Sequence, residues 1–343
     1  MEVKVLSAND LSPELQQQWR GILENNDELA SPFFAPEYFL SVARVIPKAC
    51  LGVGVEGGKA VIFFPFERGD AAIGQRLRLC DYQAFIAPKN FDGNVRAFLR
   101  ACGLRGWDFD HLLASQTALQ PFHRLRVESP IMDLSEGFDA YLAERKASGR
   151  MELIKRCQSK MRKLEREAGP IRLEIHQPED AILRQLLAWR GAKYQSRHSD
   201  EIFEGILQNV MRADGLHCRG TLSVLYAGEQ IVSAHMGLRS VSTWHWWVPA
   251  YNPQFEKYSP GLTMLLKMAE NMAPAGVRII DFGRGDQDYK THLKTGAIGL
   301  AEGSIEISPW LAAFRILKRT VRQWIKPRAV PIETLAPAPQ AKA

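Results

Sequence analysis

Residues 244–303 read WHWWVPAYNPQFEKYSPGLTMLLKMAENMAPAGVRIIDFGRGDQDYKTHLKTGAIGLAEG, and two motifs in them could do chemistry. The first is Tyr258-Ser259-Pro260-Gly261. Ser259 can cap a helix whose first turn holds Pro260. The unpaired N–H groups and positive dipole end of such a helix make an anion site, and Gly261 has no side chain to keep a pyrophosphate away. The second motif is Asp281-Phe282-Gly283-Arg284-Gly285-Asp286-Gln287-Asp288-Tyr289-Lys290, a loop dense in charge and glycine at a strand's C-terminal end, where function often resides.

The YSPG start, the DFGRGDQDYK loop and the KTHLKTGAIG run resemble the GNAT-superfamily acyltransferases linked to bacterial cellulose and exopolysaccharide synthesis. Relatives of that family are the peptidoglycan-bridge aminoacyltransferases, whose late Phe-Lys motif is similar to Tyr289-Lys290. The usual Arg/Gln-x-x-Gly-x-Gly/Ala pyrophosphate loop is replaced here by Lys257-Tyr258-Ser259-Pro260-Gly261. The resemblance implies an α+β chain of two tandem GNAT-like domains with mixed sheets flanked by helices. It also implies acetyl-CoA or another acyl-CoA as co-substrate, no metal, and a small-molecule or saccharide acceptor. The donor's pantetheine would lie between two splayed parallel strands, at residues 244–250 and 277–282, whose free N–H groups could serve the oxyanion.

Acyl transfer needs a docked thioester, an acceptor held in line, an oxyanion donor and a route for the leaving proton. Asp281 is the first choice for a general base, with capping of the following loop as the equal alternative. Tyr289 could return a proton to the thiolate, and Lys290 could pair with phosphate or Asp281, or form a buried structural salt bridge. Arg284 and Asp288 lie in the same loop as candidate acceptor contacts. His235 and His245 fall within strands, where a hydrogen-bonded core role is the commoner one. By alternation Trp244 and Trp246 share one face while His245 and Trp247 share the other. One such face can stack on a sugar ring, although aromatic clusters more often form core.

These residues must be positioned by ordinary elements. Strands at 3–6 and 171–176 each precede two helical patterns, at 13–24 and 36–45 and at 179–195 and 200–213. A strand pair follows in each half, residues 51–68 aligning with 222–239 at an offset of 171 with five identities and coincident turn glycines, Gly57 and Gly228. The expected division is 1–135, a basic connecting helix at 136–170, a catalytic domain at 171–308, an amphipathic helix at 309–326 and a disordered tail at 327–343. In the connector, Ile154, Cys157, Met161, Leu164 and Ala168 share a face opposite Lys155, Arg156, Lys160, Arg162, Lys163 and Arg166. That face is either a solvated surface or a polyanion site. Gly52-Val53-Gly54-Val55-Glu56-Gly57 and Asp281-Phe282-Gly283 mimic nucleotide-binding motifs, but the glycines lead into a strand and no H-R-D catalytic loop is present.

With 343 residues, 46% hydrophobic and 24% charged, the chain can bury a full core. No signal peptide or apolar run of roughly 20 residues is visible, and five scattered cysteines fit a reduced, cytoplasmic setting. The net charge of +6 is local: six Arg or Lys and no acid lie between 309 and 328, so the rest is near neutral, which argues against nucleic acid. The 309–326 helix carries Trp310, Phe314, Leu317, Val321 and Trp324 at helical spacing among Arg and Lys. It fits the inner face of an anionic membrane or a polysaccharide synthase complex, or docking on its own domain. Two readings compete with acyl-CoA transfer: a non-catalytic glycan or partner-binding protein on the same fold, and an aminoacyl-tRNA-dependent transferase using the basic helix.

Overall fold

The computed structural model describes residues 1–194 and 201–308; the expected helix at 309–326 and tail at 327–343 lie outside the described residues, as do positions 195 and 200 at two expected helix ends. The first half runs β1 (Glu2–Leu6), α1 (Pro13–Glu24), α2 (Pro36–Ala43), β2 (Ala49–Glu56), β3 (Lys59–Arg68), β4 (Ile73–Gln75), α3 (Val95–Ala101), β5 (Gly106–Leu113) and β6 (His123–Asp133). The connector holds α4 (Phe138–Ala147) and α5 (Glu152–Ala168). The second half repeats the order as β7 (Ile171–Glu174), α6 (Asp180–Tyr194), α7 (Glu201–Met211), β8 (Arg219–Ala227), β9 (Gln230–Arg239), β10 (Thr243–Tyr251), α8 (Pro260–Met272), β11 (Ile279–Asp281), α9 (Asp288–Leu293) and β12 (Gly296–Glu306).

Local chemistry explains the boundaries. Ser12 Oγ accepts the Leu15 N–H at the start of α1, Pro13 takes the first position, and Trp19 and Leu23 are buried. The aligned strand pairs are the hairpins β2–β3 and β8–β9, with Gly57 and Gly228 both at φ +56° in two-residue turns. The G-x-G-x-x-G motif is therefore strand and turn. The connector is not one long helix as expected: it breaks at Gly149, which adopts φ +71°, a conformation that ends α4. Ile154, Cys157 and Leu164 of α5 are buried while Lys155, Arg156, Arg162, Lys163 and Arg166 are exposed.

All twelve strands form one mixed sheet in the order β1-β2-β3-β4-β5-β12-β6-β11-β10-β9-β8-β7. The order is a palindrome with one exchange. β6, the last strand of the first half, pairs with β11 of the second, and β12 at the end pairs with β5 of the first. The two exchanged strands run antiparallel to each other from Gly296 opposite Ile131 to Gly303 opposite His123. The sheet thus does not break at residue 135 or 171. One face is covered by α1, α2, α6 and α7 over a single apolar cluster spanning both halves. The other carries two clusters, under α3 in the first half and under α4, α5 and α8 in the second.

Candidate active site

β10 and β11 are parallel for three residues, Thr243 opposite Ile279, Trp244 opposite Ile280 and His245 opposite Asp281. β11 ends there, while β10 continues to Tyr251, so the strands part. At the same point β10 bulges: His245 faces Leu238 and the next pair is Val248 with Met236, leaving Trp246 and Trp247 opposite Gly237 alone. A Cβ on Gly237 would sit 2.4 Å from His235 Cε1 and 2.6 Å from Trp244 Nε1. His235 secures the bulge. Its ring stacks on Trp246 with centroids 4.2 Å apart, and its Nε2 accepts the Trp247 N–H at 3.1 Å. Burial pushes its pKa down to about 3, so it stays neutral and able to accept.

The parting strands open a cavity of about 860 Å³ whose walls include Asp81, Trp189, Trp246, Trp247, Ser259, Gly261, Gly283, Arg284, Tyr289 and Lys290. It joins the two faces of the sheet. Trp246 and Phe282 belong to the cluster under α8, whereas Trp189 and Trp247 pack on the cluster shared with the first half.

At the α8 end, Ser259 does not act as the expected side-chain cap. It lies in the left-handed region at φ 54°, its carbonyl accepts Leu262 N–H and Thr263 N–H at 3.1 Å each, and its hydroxyl meets Lys160 Nζ at 2.9 Å. The connector helix α5 thereby adds an ammonium to the helix start. Gly261 has room beside it, with only Tyr251 Cδ1 at 3.7 Å from where its Cβ would be. Tyr258 and Pro260 are buried, the Tyr258 hydroxyl donating to Glu167, and neither is on the cavity wall.

At the other end the DFGRGDQDYK residues separate. Asp281 is fully buried behind the wall, Oδ1 accepting from Ser129 Oγ at 2.6 Å and Gly283 N at 2.8 Å, and Oδ2 from Tyr82 Oη at 2.5 Å. His245 Nδ1 lies 3.9 Å from Asp281, and its Nε2 is 2.9 Å from Ser31 Oγ. Burial lowers the His245 pKa, against the pull of Asp281 and Asp81. Lys290 does not reach Asp281 as expected: Nζ donates to Gly283 O at 2.9 Å and Arg284 O at 3.3 Å, and burial pulls its pKa down. Arg284 lines the cavity while bound to Glu302 and, at 3.1 Å, to Asp110 O. Asp288 projects into solvent with its side chain 92% exposed, paired at 3.6 Å with His292, and Trp244 is sealed in the core. Trp246 and Tyr289 do line the cavity, so of the four expected acceptor contacts Trp246 and Arg284 are placed there and Trp244 and Asp288 are not.

Sequence reasoning missed two cavity carboxylates: Glu256, which accepts from Tyr251 Oη at 2.7 Å, and Asp81, from the first half. Burial raises the Asp81 pKa and Asp281 raises it further, while His245, His111 and Arg76 lower it. A Cβ on Gly283 would lie 3.5 Å from its Oδ2. It rides on a loop held by Arg76 donating to Cys80 O, by Arg78 N–H donating to Glu67, and by Tyr38 Oη donating to Arg78 O at 3.0 Å. Leu79 in that loop takes φ +63°. The signal available was thin: Asp81 stands in the mixed polar and apolar run Gln75-Arg76-Leu77-Arg78-Leu79-Cys80-Asp81-Tyr82-Gln83, about 200 residues before Asp281 and Gly283.

With this geometry in place, comparison with known proteins is informative. Residues 151–291 match the acetyltransferase (GNAT) domain family. No curated protein matches the sequence. Among solved structures, FemX is similar with a TM-score of 0.60 at 12% identity, over 93% of this chain and 100% of that one. The structure of L-PGS from Bacillus licheniformis gives 0.55 at 14% identity, over 91% and 97%. The C-terminal domain of a protein provisionally named lysylphosphatidylglycerol synthetase from Agrobacterium fabrum gives 0.53 at 12%, over 89% and 96%. At these identities the likeness is one of fold. The fold is a tandem pair of GNAT-like halves with a mixed sheet flanked by helices, and the acetyltransferase match falls on the connector helix α5 and the second half. Among the described residues no helix is long and apolar enough to cross a membrane, and no cluster of His, Cys, Asp and Glu is placed to hold a metal.

Proposed function

We propose that the protein is an acyltransferase that moves an acetyl or longer acyl group from acyl-CoA to an amine or hydroxyl of a sugar or polysaccharide precursor. One observation carries this reading: the cavity that crosses the sheet where β10 and β11 part, with an anion-ready helix start at one end and Asp81 at the other. Ser259, Gly261 and Lys160 would receive the donor's phosphates. The thioester would lie beside the bulge, where β10 runs on without β11.

Asp81 takes the base role in this scheme, because both oxygens of Asp281 are already engaged. The acceptor nitrogen or oxygen attacks the thioester carbonyl carbon, the new bond forms, and the C–S bond breaks with its electron pair leaving on sulfur. The acceptor's proton passes to Asp81, and Tyr289 protonates the thiolate. Asp281 acts at one remove, fixing Tyr82, Ser129 and the Gly283 N–H, while Lys290 pins the loop carbonyls.

A second reading, aminoacyl transfer from charged tRNA, is favoured by the exposed cations of α5 and the reach of Lys160 to the cavity mouth. Thermal denaturation separates the two. Acetyl-CoA at 100 times its dissociation constant should stabilise wild type by about 2.7 kcal/mol. Gly261→Asp, whose Cβ meets only an ordinary contact with Tyr251 Cδ1 at 3.7 Å, should abolish that gain by setting a carboxylate against the pyrophosphate. Absence of an acyl-CoA shift together with steeply salt-dependent tRNA binding would reverse the choice.

A further inference from the structure

The cavity differs in chemistry between the two faces of the sheet. On the α8 face it offers a helix start. On the face shared with the first half it offers Trp189 of α6 and Trp247 of β10, both half-buried, together with Asp81. Trp247 is braced edge-on by Phe33 at 5.7 Å and Tyr38 at 6.4 Å between centroids, and Trp189 packs on the same cluster. Rigid indoles left partly uncovered over a cavity match a flat ligand with one apolar face. A plain acyl chain would suit the indoles, but not the carboxylate beside them. A linear amine would suit the carboxylate but leave the indoles wet.

Charge narrows the choice. At this end Asp81 lies on the wall with Asp281 buried behind it; of the wall cations besides Arg190, Lys290 is held by the Gly283 and Arg284 carbonyls and Arg284 by Glu302, and burial lowers the His245 pKa. With Lys290 and Arg284 engaged by the protein itself, the carboxylate of Asp81 favours an acceptor arriving as a cation over a neutral hydroxyl. Resting on the acyl-CoA reading above, we infer that the acceptor is an amino sugar whose pyranose ring lies on Trp189 and Trp247 and whose amine is received by Asp81. Trp189 and Trp247 then determine specificity, and Asp81 attracts the ammonium, takes one proton from it to free the lone pair, passes that proton to solvent, and takes the second proton released on attack.

The test uses the full chain with acetyl-CoA and three acceptors: glucosamine, glucose and ethanolamine. Thiol release should be fastest with glucosamine, with kcat/KM at least about tenfold lower for the other two. Trp189→Ala and Trp247→Ala should each raise the glucosamine KM about tenfold, with kcat less affected and the acetyl-CoA thermal shift unchanged. Trp189→Phe and Trp247→Phe should keep most of the affinity, and they carry the test if an alanine variant fails to fold. Ethanolamine used as well as glucosamine, or an unchanged KM in both alanine variants, overturns the proposal. If acetyl-CoA neither stabilises the protein nor releases thiol, the acyl-CoA reading fails. Ring recognition is then decided by tryptophan fluorescence: glucosamine quenching that Trp189→Ala removes upholds it, and absence of quenching ends it.

Discussion

The two halves each contain a short parallel strand pair followed by a place where the strands part, and they treat that place in opposite ways. In the second half β10 and β11 part to leave a cavity. In the first half β4 and β5 pair only at Ile73 with Gly106 and Gly74 with Trp107, and the gap beyond is filled by the chain itself. Gln83 bridges to Leu112 and Ile86 to Phe63, each bridge made by backbone hydrogen bonds of 2.8 to 2.9 Å. Phe85 stacks on Phe64 at 4.7 Å and meets Trp107 edge-on at 5.5 Å. The helix starts differ in parallel. Asn94 Oδ1 accepts the Ala97 N–H at 3.0 Å and closes the start of α3, whereas Ser259 leaves the start of α8 open. The plug in the first half is also the segment that carries Asp81 to the wall of the second half's cavity and Tyr82 to Asp281 behind it. One duplicated cleft has been spent to equip the other, a reading that five substitutions can break or sharpen.

The largest effect is expected at Asp81. Asp81→Asn should lower turnover about 10²- to 10⁴-fold with acyl-CoA binding retained. Its effect on stability has the opposite sign. A carboxyl whose folded pKa lies above its unfolded one binds more protons folded than unfolded, so stability is lost as pH rises between the two values. Asp81→Asn should therefore melt above wild type at pH 7, and the difference should vanish below the ordinary carboxylate range. Turnover surviving in a folded Asp81→Asn protein would separate the plug from the chemistry. Next comes Phe85→Ala, which should cost about 3–5 kcal/mol in chemical denaturation, as for other buried aromatics, without creating a second acyl-CoA site. A measured stoichiometry of two would show that the first cleft is merely obstructed.

Gly237→Ala should destabilise by about 1–3 kcal/mol, because its Cβ collides with His235 and Trp244 and the bulge must shift. Acyl-CoA affinity should fall with it, and an unchanged affinity would detach the bulge from the donor site. The smallest effects contrast the two helix starts. Asn94→Ala removes a cap and should cost about 0.5–2 kcal/mol, while Ser259→Ala should stay within about 0.5 kcal/mol yet weaken acyl-CoA binding. Equal losses of stability at both positions would erase the asymmetry.

Much of this architecture was legible because it is local. Helical patterning placed α1, Pro260 marked the start of α8 although Ser259 does not cap it through its side chain, and the coincident glycines of the two hairpins exposed the repeat. The alternation through Trp244, His245, Trp246 and Trp247 also sorted the faces as observed, although the bulge falls at Trp246 and Trp247. Gly237, an isolated glycine within a strand, was a readable mark of that bulge that went unused. What stayed hidden is nonlocal. Spacing within DFGRGDQDYK says nothing about the burial of Asp281 by Tyr82 and Ser129, respectively 199 and 152 residues away. Nor does it show that Asp288, one turn from Lys290, points outward. Asp81 gave little sign because its role comes from a plugged cleft, which has no periodicity to read.

The exchange of β6 and β12 bears on how a ribosome delivers this molecule. The first half emerges with the outer edge of β5 bare, and the strand that covers it is not synthesised until residues 296–306. Vectorial folding of the first half therefore cannot finish early. Its open edge must wait through the synthesis of about half the chain, a nonlocal pairing of the kind that slows folding and exposes intermediates to aggregation. The same interlock means that a half taken alone loses the strand that covers the edge of β5 or β11 here, so losing one copy of the repeat would bare an edge in the other.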